Sequence, residues 1–320
     1  MKEISFLKKN ADKWKEIERY LDNKESKSPD RLAALFTELT DDLGYAKTFY
    51  RKSKTVDYLN GLSARVHREV YKNKSEDRSR IFKFWSYELP ILFWQYRKSI
   101  LVSLILTLLF VAVGVLSQIY EPDFVNAILG DNYVSMTIDN IEKGEPMAVY
   151  GKSSPFDMFV GIAINNIRVS FIAFIFGAFF SLGTGYILFT NGVMLGTFMY
   201  FFHQYNRIEE AFLGVFLHGT LEIWAIVIGG AAGLILGNSI LFPGSYPRLT
   251  SFLKGARNGF KIVVGMVPIF VIASFIESYI TRLTGSMHIV FNLIIIGGSL
   301  AFIVWYFAVL PYLLSRKLKE

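Results

Sequence analysis

The chain has no cysteine, which excludes disulfides, thiol catalysis and thiolate metal sites. Histidine is scarce: His67, His203, His218 and His288 are the four in 320 residues. No glycine-rich phosphate loop and no HExxH motif occurs, so ATP hydrolysis and zincin chemistry lack support. No serine stands in a recognisable nucleophile motif. The first ten residues, Met1 to Asn10, carry charge with no apolar run behind them, which predicts no cleavable signal peptide. Charged residues make up 19%, against roughly a quarter in soluble domains.

What fills the chain instead is apolar. Hydrophobic residues reach 52% and the mean hydropathy is +0.35. They are segregated, dominating from Ile100 onward. Six hydrophobic spans are predicted, near 99–119, 167–189, 191–206, 210–237, 261–280 and 287–313, each approaching the roughly 20 residues that cross a bilayer. The third is short, and a re-entrant hairpin is its alternative. The expected fold is all-α: a polytopic membrane helical bundle over 99–315, preceded by an amphipathic helical domain over 1–98 and followed by a tail at 316–320.

Residues 1–98 hold 22 Lys and Arg against 15 Asp and Glu, which is the whole net charge of +7. A basic domain before the first span suits an anionic inner leaflet. Nucleic-acid binding is not expected, because both signs mix along each helix. Three helices are legible: one burying Phe6, Trp14, Ile17 and Leu21; one opening at Ser28-Pro29-Asp30, with Ser28 as N-cap and Pro29 at N1, and burying Leu32, Leu35, Phe36, Leu39, Leu43, Ala46 and Tyr50; one along Val56, Leu59, Leu62, Val66 and Val70. Residues 81–98 mix Trp, Tyr, Arg and Lys as an interfacial helix does; a helix packed on the first three is the alternative.

Charge selects the topology. With six crossings and a cytoplasmic N-terminus, Arg248, Lys254, Arg257 and Lys261 of the acid-free 238–261 loop lie inside, as do Arg316, Lys317 and Lys319. The 120–166 loop, with seven acids and two lysines, lies outside. Its apolar stretch 158–166 is expected on the outer membrane face, with Asp131, Asp139, Glu142 and Glu145 in water. This follows the positive-inside rule and puts both termini in the cytoplasm of a bacterial inner membrane.

Polar groups within the spans are costly and often functional. Asn165, Asn166 and Arg168 open span two, where a helix cap competes with pairing to an inward Glu. Asn191-Gly192 is read as the turn between spans two and three, with Gly192 and Gly196 at GxxxG spacing for helix packing. Span four carries His218, Glu222, Ala225, Gly229, Gly233 and Gly237 on one face. The pair His218–Glu222 has no third ligand in sight, so no metal or cofactor is assigned. A structural lock between helices leads, and a proton relay or solute path is the alternative. Glu277 lies near the outer end of span five. Arg168, His218, Glu222 and Glu277 are a grouping the sequence suggests.

At these residues the chain resembles the stage II sporulation protein M family. The match is carried by Asn165-Asn166-Ile-Arg168-Val with Gly177, Gly183, Gly185 and Asn191-Gly192 behind it, by His218-Gly219-x-x-Glu222 with the small-residue run to Gly237, and by Pro268 with Ile276-Glu277. It covers approximately residues 95–315. The family often has Pro before the His-Gly pair; here that residue is Leu217. The resemblance implies an all-helical inner-membrane protein. Its namesake is similar to a scaffold working with peptidoglycan-degrading partners in spore formers.

Two functions therefore stand as expectations. A non-enzymatic scaffold would couple cytoplasmic and envelope protein partners, with the bilayer and a second copy of the chain as further partners. A transporter or channel would instead use the intramembrane polar cluster around Glu222. A water-filled cavity reaching Glu222 discriminates between them.

Overall fold

The computed structural model describes residues 1–22, 28–72, 79–144, 154–284 and 287–318. Helix accounts for its regular structure, and no strand occurs among the described residues. By its contacts the chain divides into Met1–Ile81 and Phe82–Glu320.

The first unit is built from α1 (Glu3–Asp22), α2 (Pro29–Phe49) and α3 (Lys54–Lys72). Phe6, Trp14, Ile17 and Leu21 meet Leu32, Leu35, Leu39, Leu43 and Ala46 of α2, and Leu59, Leu62 and Val66 of α3, in one core. Phe36, Tyr50 and Val56 pack on it half-buried, while the side chain of Val70 lies outside the described residues. Trp14 donates its indole N–H to Asp42 at 2.8 Å, and Lys13 pairs with the same carboxylate. Ser28 stands at the N-cap of α2, but its hydroxyl makes no capping bond.

Short α4 (Ser79–Lys83) runs through a π turn, Phe84–Glu88, into α5 (Leu89–Gln95). Leu89, Leu92 and Phe93 then enter the main core of the second unit. Trp85 donates to the carbonyl of Gly265 at 3.2 Å, Tyr306 donates to the carbonyl of Trp85 at 2.7 Å, and Lys261 pairs with Glu88 at 2.7 Å. Residues 82–98 are thus packed onto the membrane bundle.

Six helical segments are long and apolar enough to cross a membrane: Arg97–Tyr120, Pro155–Ala178, Leu182–Gln204, Ile208–Leu241, Arg248–Leu283 and Ile289–Lys317. They contain α6 (Arg97–Tyr120), α9 (Pro155–Ile175), α10 (Leu182–Gln204), α11 (Ile208–Leu241), α12 (Arg248–Phe275), α13 (Ile289–Val304) and α14 (Leu310–Lys317). Between the first two lie α7 (Phe124–Leu129) and α8 (Asp131–Glu142). Val125, Val134 and Ile141 of α7 and α8 share a core with Phe201, Phe202 and Ala211, which places both helices at the α10–α11 turn.

The second span sits about ten residues earlier than hydropathy places it, and the third begins nine residues earlier but ends only two earlier. Ser154 caps α9, accepting from the Asp157 amide at 3.2 Å, and Pro155 occupies the first turn. Residues 158–166 therefore form the first half of a crossing helix, not a segment on the membrane face. The turn that follows uses Phe180 (φ 53°) and Ser181 (φ 68°), two non-glycine residues in the left-handed region. Asn191-Gly192 lies inside α10, where Gly192 and Gly196 bring that helix against Thr107, Phe110 and Val111 of α6. At 23 residues α10 is long enough to cross, so the re-entrant alternative falls away.

At about 1.5 Å per residue, the 34 residues of α11 give a length of about 51 Å. It forms the central post. Gly229, Gly233 and Gly237 face Ser170, Ala173 and Gly177 of α9 and the Ser181 turn so closely that a Cβ at any of them would overlap its neighbour. Hydroxyls bond between neighbouring helices: Ser103 of α6 donates to Val227 O of α11 at 2.7 Å, Thr184 of α10 to Ala173 O of α9 at 2.7 Å, and Ser251 of α12 to Ser239 O of α11 at 2.8 Å. Small residues and hydroxyls are what bring helices together in lipid, where hydrophobic burial contributes little to helix association.

Candidate functional site

The face of α11 that carries the glycines continues toward α7 and α8 through Glu222 and His218. At ~1.5 Å per residue these lie about 21 Å and about 15 Å from the start of the helix. The partner face on α9 runs Asn166, Ser170, Ala173 and continues to Gly177 in the 3-10 turn Phe176–Ala178 that follows. Where the glycines touch α9 the helices close; where the polar residues stand they part around a cavity of about 450 Å³.

Glu277 reaches this cavity from a π-helical turn, Ile276–Ile280, at the end of α12. Such turns are rare and concentrate at functional sites. Here the extra residue precedes Thr281, which turns back on α11. His218 Nδ1 lies 3.1 Å from Thr281 Oγ1, and that hydroxyl also lies 3.3 Å from Ile276 O, which it can only reach as donor. In the tautomer where Thr281 donates to Ile276 O, Thr281 accepts from Nδ1–H and Nε2 carries the lone pair; in the other, Thr281 donates to Nδ1 and Nε2–H faces Glu277. Nε2 is 3.7 Å from Glu277 Oε1. One donor atom from each of His218, Glu222 and Glu277 falls within 4.8 Å of the others.

Two asparagines complete the wall. Asn166, 5% exposed, turns its amide toward Glu222, with Nδ2 stopping short of an ordinary hydrogen bond. Asn165 is exposed and donates to Asn166 Oδ1 at 3.4 Å. Tyr133 of α8 and Asn191 of α10 line the same cavity, and burial raises the Tyr133 phenol above its ordinary pKa.

The structure thus brings together His218, Glu222, Glu277, Asn165 and Asn166. It does not bring Arg168. That residue is exposed, lies near the middle of α9 and does not line the cavity. Two residues from Asn166 on a helix is about 200° of rotation, which turns Arg168 away from α11. Thr281, Tyr133 and Asn191 are contributors that the sequence reading missed. Thr281 falls one turn after Glu277, and Asn191 is a polar residue inside an apolar helix; both are sequence signals of the right kind.

Residues 103–282 match the family model described as Stage II sporulation protein M. This is more than half of the chain and takes in every residue of the cluster. Residues 4–72 match a domain of unknown function (DUF8413). No curated protein and no solved structure matches the chain.

Proposed function

The chain belongs to the stage II sporulation protein M family, and from that premise we propose a membrane protein that binds a small polar solute or ion at Glu222 and passes it across the bilayer. One observation carries this reading: the cavity of about 450 Å³ bordered by Glu222, His218, Glu277 and the asparagines. A lock whose sole task is to hold helices together needs no such space. Ionisable groups in a bundle interior, facing a cavity, are typical of solute pathways. The reading is binding and passage, without catalysis.

The positive-inside rule supports the orientation. Arg248, Lys254 and Arg257, with Arg316 and Lys317, then belong to the cytoplasmic face of a bacterial inner membrane together with both termini. Asp131, Asp139 and Glu142 belong to the opposite face, where α7 and α8 contribute Ile128, Leu129 and Tyr133 to the cavity wall.

A second reading, a scaffold coupling cytoplasmic and envelope proteins, is favoured by the N-terminal unit. It has its own core and its own family match, as a docking module would.

Flux measurements separate the two. The protein is reconstituted in vesicles loaded with a proton-sensitive dye or a divalent-cation-sensitive dye. The transport reading expects flux that Glu222→Gln abolishes and Gly297→Ala leaves intact. The scaffold reading expects no flux from either, and weaker assembly in Glu222→Gln.

A further inference from the structure

We propose that His218, Glu222 and Glu277 form a binding site for one divalent transition-metal cation, of the Zn²⁺ type. The inference deepens the reading of the cavity as a binding site and rests on it.

Four observations converge. The first is the donor set: one imidazole and two carboxylates from two helices, with donor atoms within 4.8 Å of one another. Borderline N/O donors suit Zn²⁺ and its neighbours, whereas an all-oxygen set suits Mg²⁺ or Ca²⁺. The second is the tautomer. With Thr281 accepting the Nδ1–H, the tautomer a metal ligand takes, Nε2 offers a lone pair to the side where Glu277 offers carboxylate oxygens, 3.7 Å away. Two electron-pair donors facing each other at that distance are held by a shared proton or by a metal cation between them. The ligands of a tetrahedral ion bound at about 2.1 Å stand about 3.4 Å apart, within a few tenths of an ångström of this pair; Glu222 is the third member of the trio, its donor atom within 4.8 Å of the other two.

The third observation is the supporting shell. His218 is held through its other nitrogen by Thr281, and Glu222 is faced by Asn166. Metal-binding imidazoles and carboxylates are oriented in this way by outer partners. The fourth is Asn166 itself. This residue is 5% exposed, borders the same cavity and turns Nδ2 toward Glu222 without reaching ordinary hydrogen-bond geometry. A buried amide in that condition marks a place built for a polar occupant, such as a water or anion bound to the metal. Three protein ligands leave a fourth position open for it.

The charge balance points the same way. Two buried carboxyls this close do not both stay charged unless a cation joins them, and a divalent cation neutralises both in place of a proton.

The test uses the full chain in detergent or nanodiscs, stripped with chelator and desalted, then titrated with ZnCl₂ against a chromogenic chelator. One Zn²⁺ per chain is expected. Glu277→Gln, close in shape to the native residue, is expected to weaken binding at least 100-fold. Thr281→Val is expected to weaken it 10- to 100-fold, as loss of an outer partner does. His203→Ala is expected to change nothing. Loading the unaltered protein with Co²⁺ gives a second readout that needs no variant: a visible d–d spectrum of a nitrogen- and oxygen-ligated ion. Absence of stoichiometric Zn²⁺ binding and of the Co²⁺ spectrum in monodisperse protein overturns the proposal, as does Zn²⁺ binding untouched by Glu277→Gln. Dye flux that depends on Glu222 but persists without Zn²⁺ binding keeps the passage reading and removes the metal.

Discussion

His218 Nδ1 meets Thr281 Oγ1 at 3.1 Å across 63 residues of sequence, joining the middle of α11 to the end of the α12 span. The contact fixes which imidazole nitrogen faces Glu277 and, through Thr281, anchors the π turn that carries Glu277. A hydroxyl outside the carboxylate cluster therefore sets the geometry of the cluster.

Removing that hydroxyl has a defined cost. Thr281→Val leaves the buried Nδ1 without its hydrogen-bond partner, a loss of about 1–3 kcal/mol. Thr281→Ser keeps the bond and is expected to stay within about 1 kcal/mol of the native protein. Thermal unfolding in detergent measures both. Equal melting temperatures for Val and native protein would remove the orienting role assigned to Thr281.

The glycines of α11 differ from those of α13 in what surrounds them. A Cβ at Gly233 would overlap the carbonyl of Ala173 and the side chain of Thr184, whereas Gly297 has nothing within 4 Å. Gly233→Ala is expected to destabilise by about 1–3 kcal/mol through overpacking. Gly297→Ala is expected to be neutral, or to gain up to about 1 kcal/mol from helix propensity. Monodispersity on size exclusion and the melting temperature report the contrast.

Residues 82–98 are held to the bundle by packing more than by charge. Lys261–Glu88 is a 2.7 Å pair with both side chains about a third exposed or more, so Glu88→Gln is expected to cost no more than about 1 kcal/mol, and less in high salt. Phe93 is 1% exposed and packs on Tyr306 and Phe307. Phe93→Ala is expected to cost about 3–5 kcal/mol. Denaturation midpoints of the two variants at low and high salt test the ranking.

The N-terminal unit carries a pH-dependent tie. Glu3 accepts from Ser53 and, at 2.7 Å, from Thr55, and these bonds hold its carboxyl below the usual carboxylate range. A depressed folded-state value means that the tie is complete above about pH 4.3, the ordinary Glu value, and is lost as pH falls through the lower folded value. Hydrogen exchange at the start of α1, corrected for intrinsic rates, is expected to show fraying only at acid pH. Glu3→Gln is expected to abolish that pH step.

Much of this architecture was legible in the sequence because hydropathy reports depth directly. Six apolar runs gave six spans, and the spacing from His218 to Gly237 gave the face of α11 that packs on α9. The turn after α9 was not legible, because Phe179-Phe180-Ser181 carries none of the Gly, Pro or Asn that mark turns; the bend comes from close approach of Gly177 to Gly233 and of Ser181 to Gly237. The Asn191-Gly192 dipeptide looked like that turn and is instead a helical segment whose glycine meets α6 and whose asparagine borders the cavity. Arg168 was grouped with the cluster by nearness in sequence, but helical rotation turns it away. Thr281 joined the cluster through a π turn, a feature that 3.6-residue periodicity does not contain.

The central claim, that Glu222 borders an open cavity, is most directly tested by thiol accessibility, since the native chain has no cysteine. Asn191→Cys and Glu222→Cys probe the cavity; Ala225→Cys, fully buried and outside its lining, is the control. Each is treated with a membrane-impermeant maleimide in right-side-out and in inverted vesicles. The account predicts labelling of both cavity sites from the face bearing α7 and α8, with Ala225→Cys protected throughout. Protection of Asn191→Cys and Glu222→Cys from both faces, in folded protein, would contradict it and make the His–Glu cluster a sealed lock between helices.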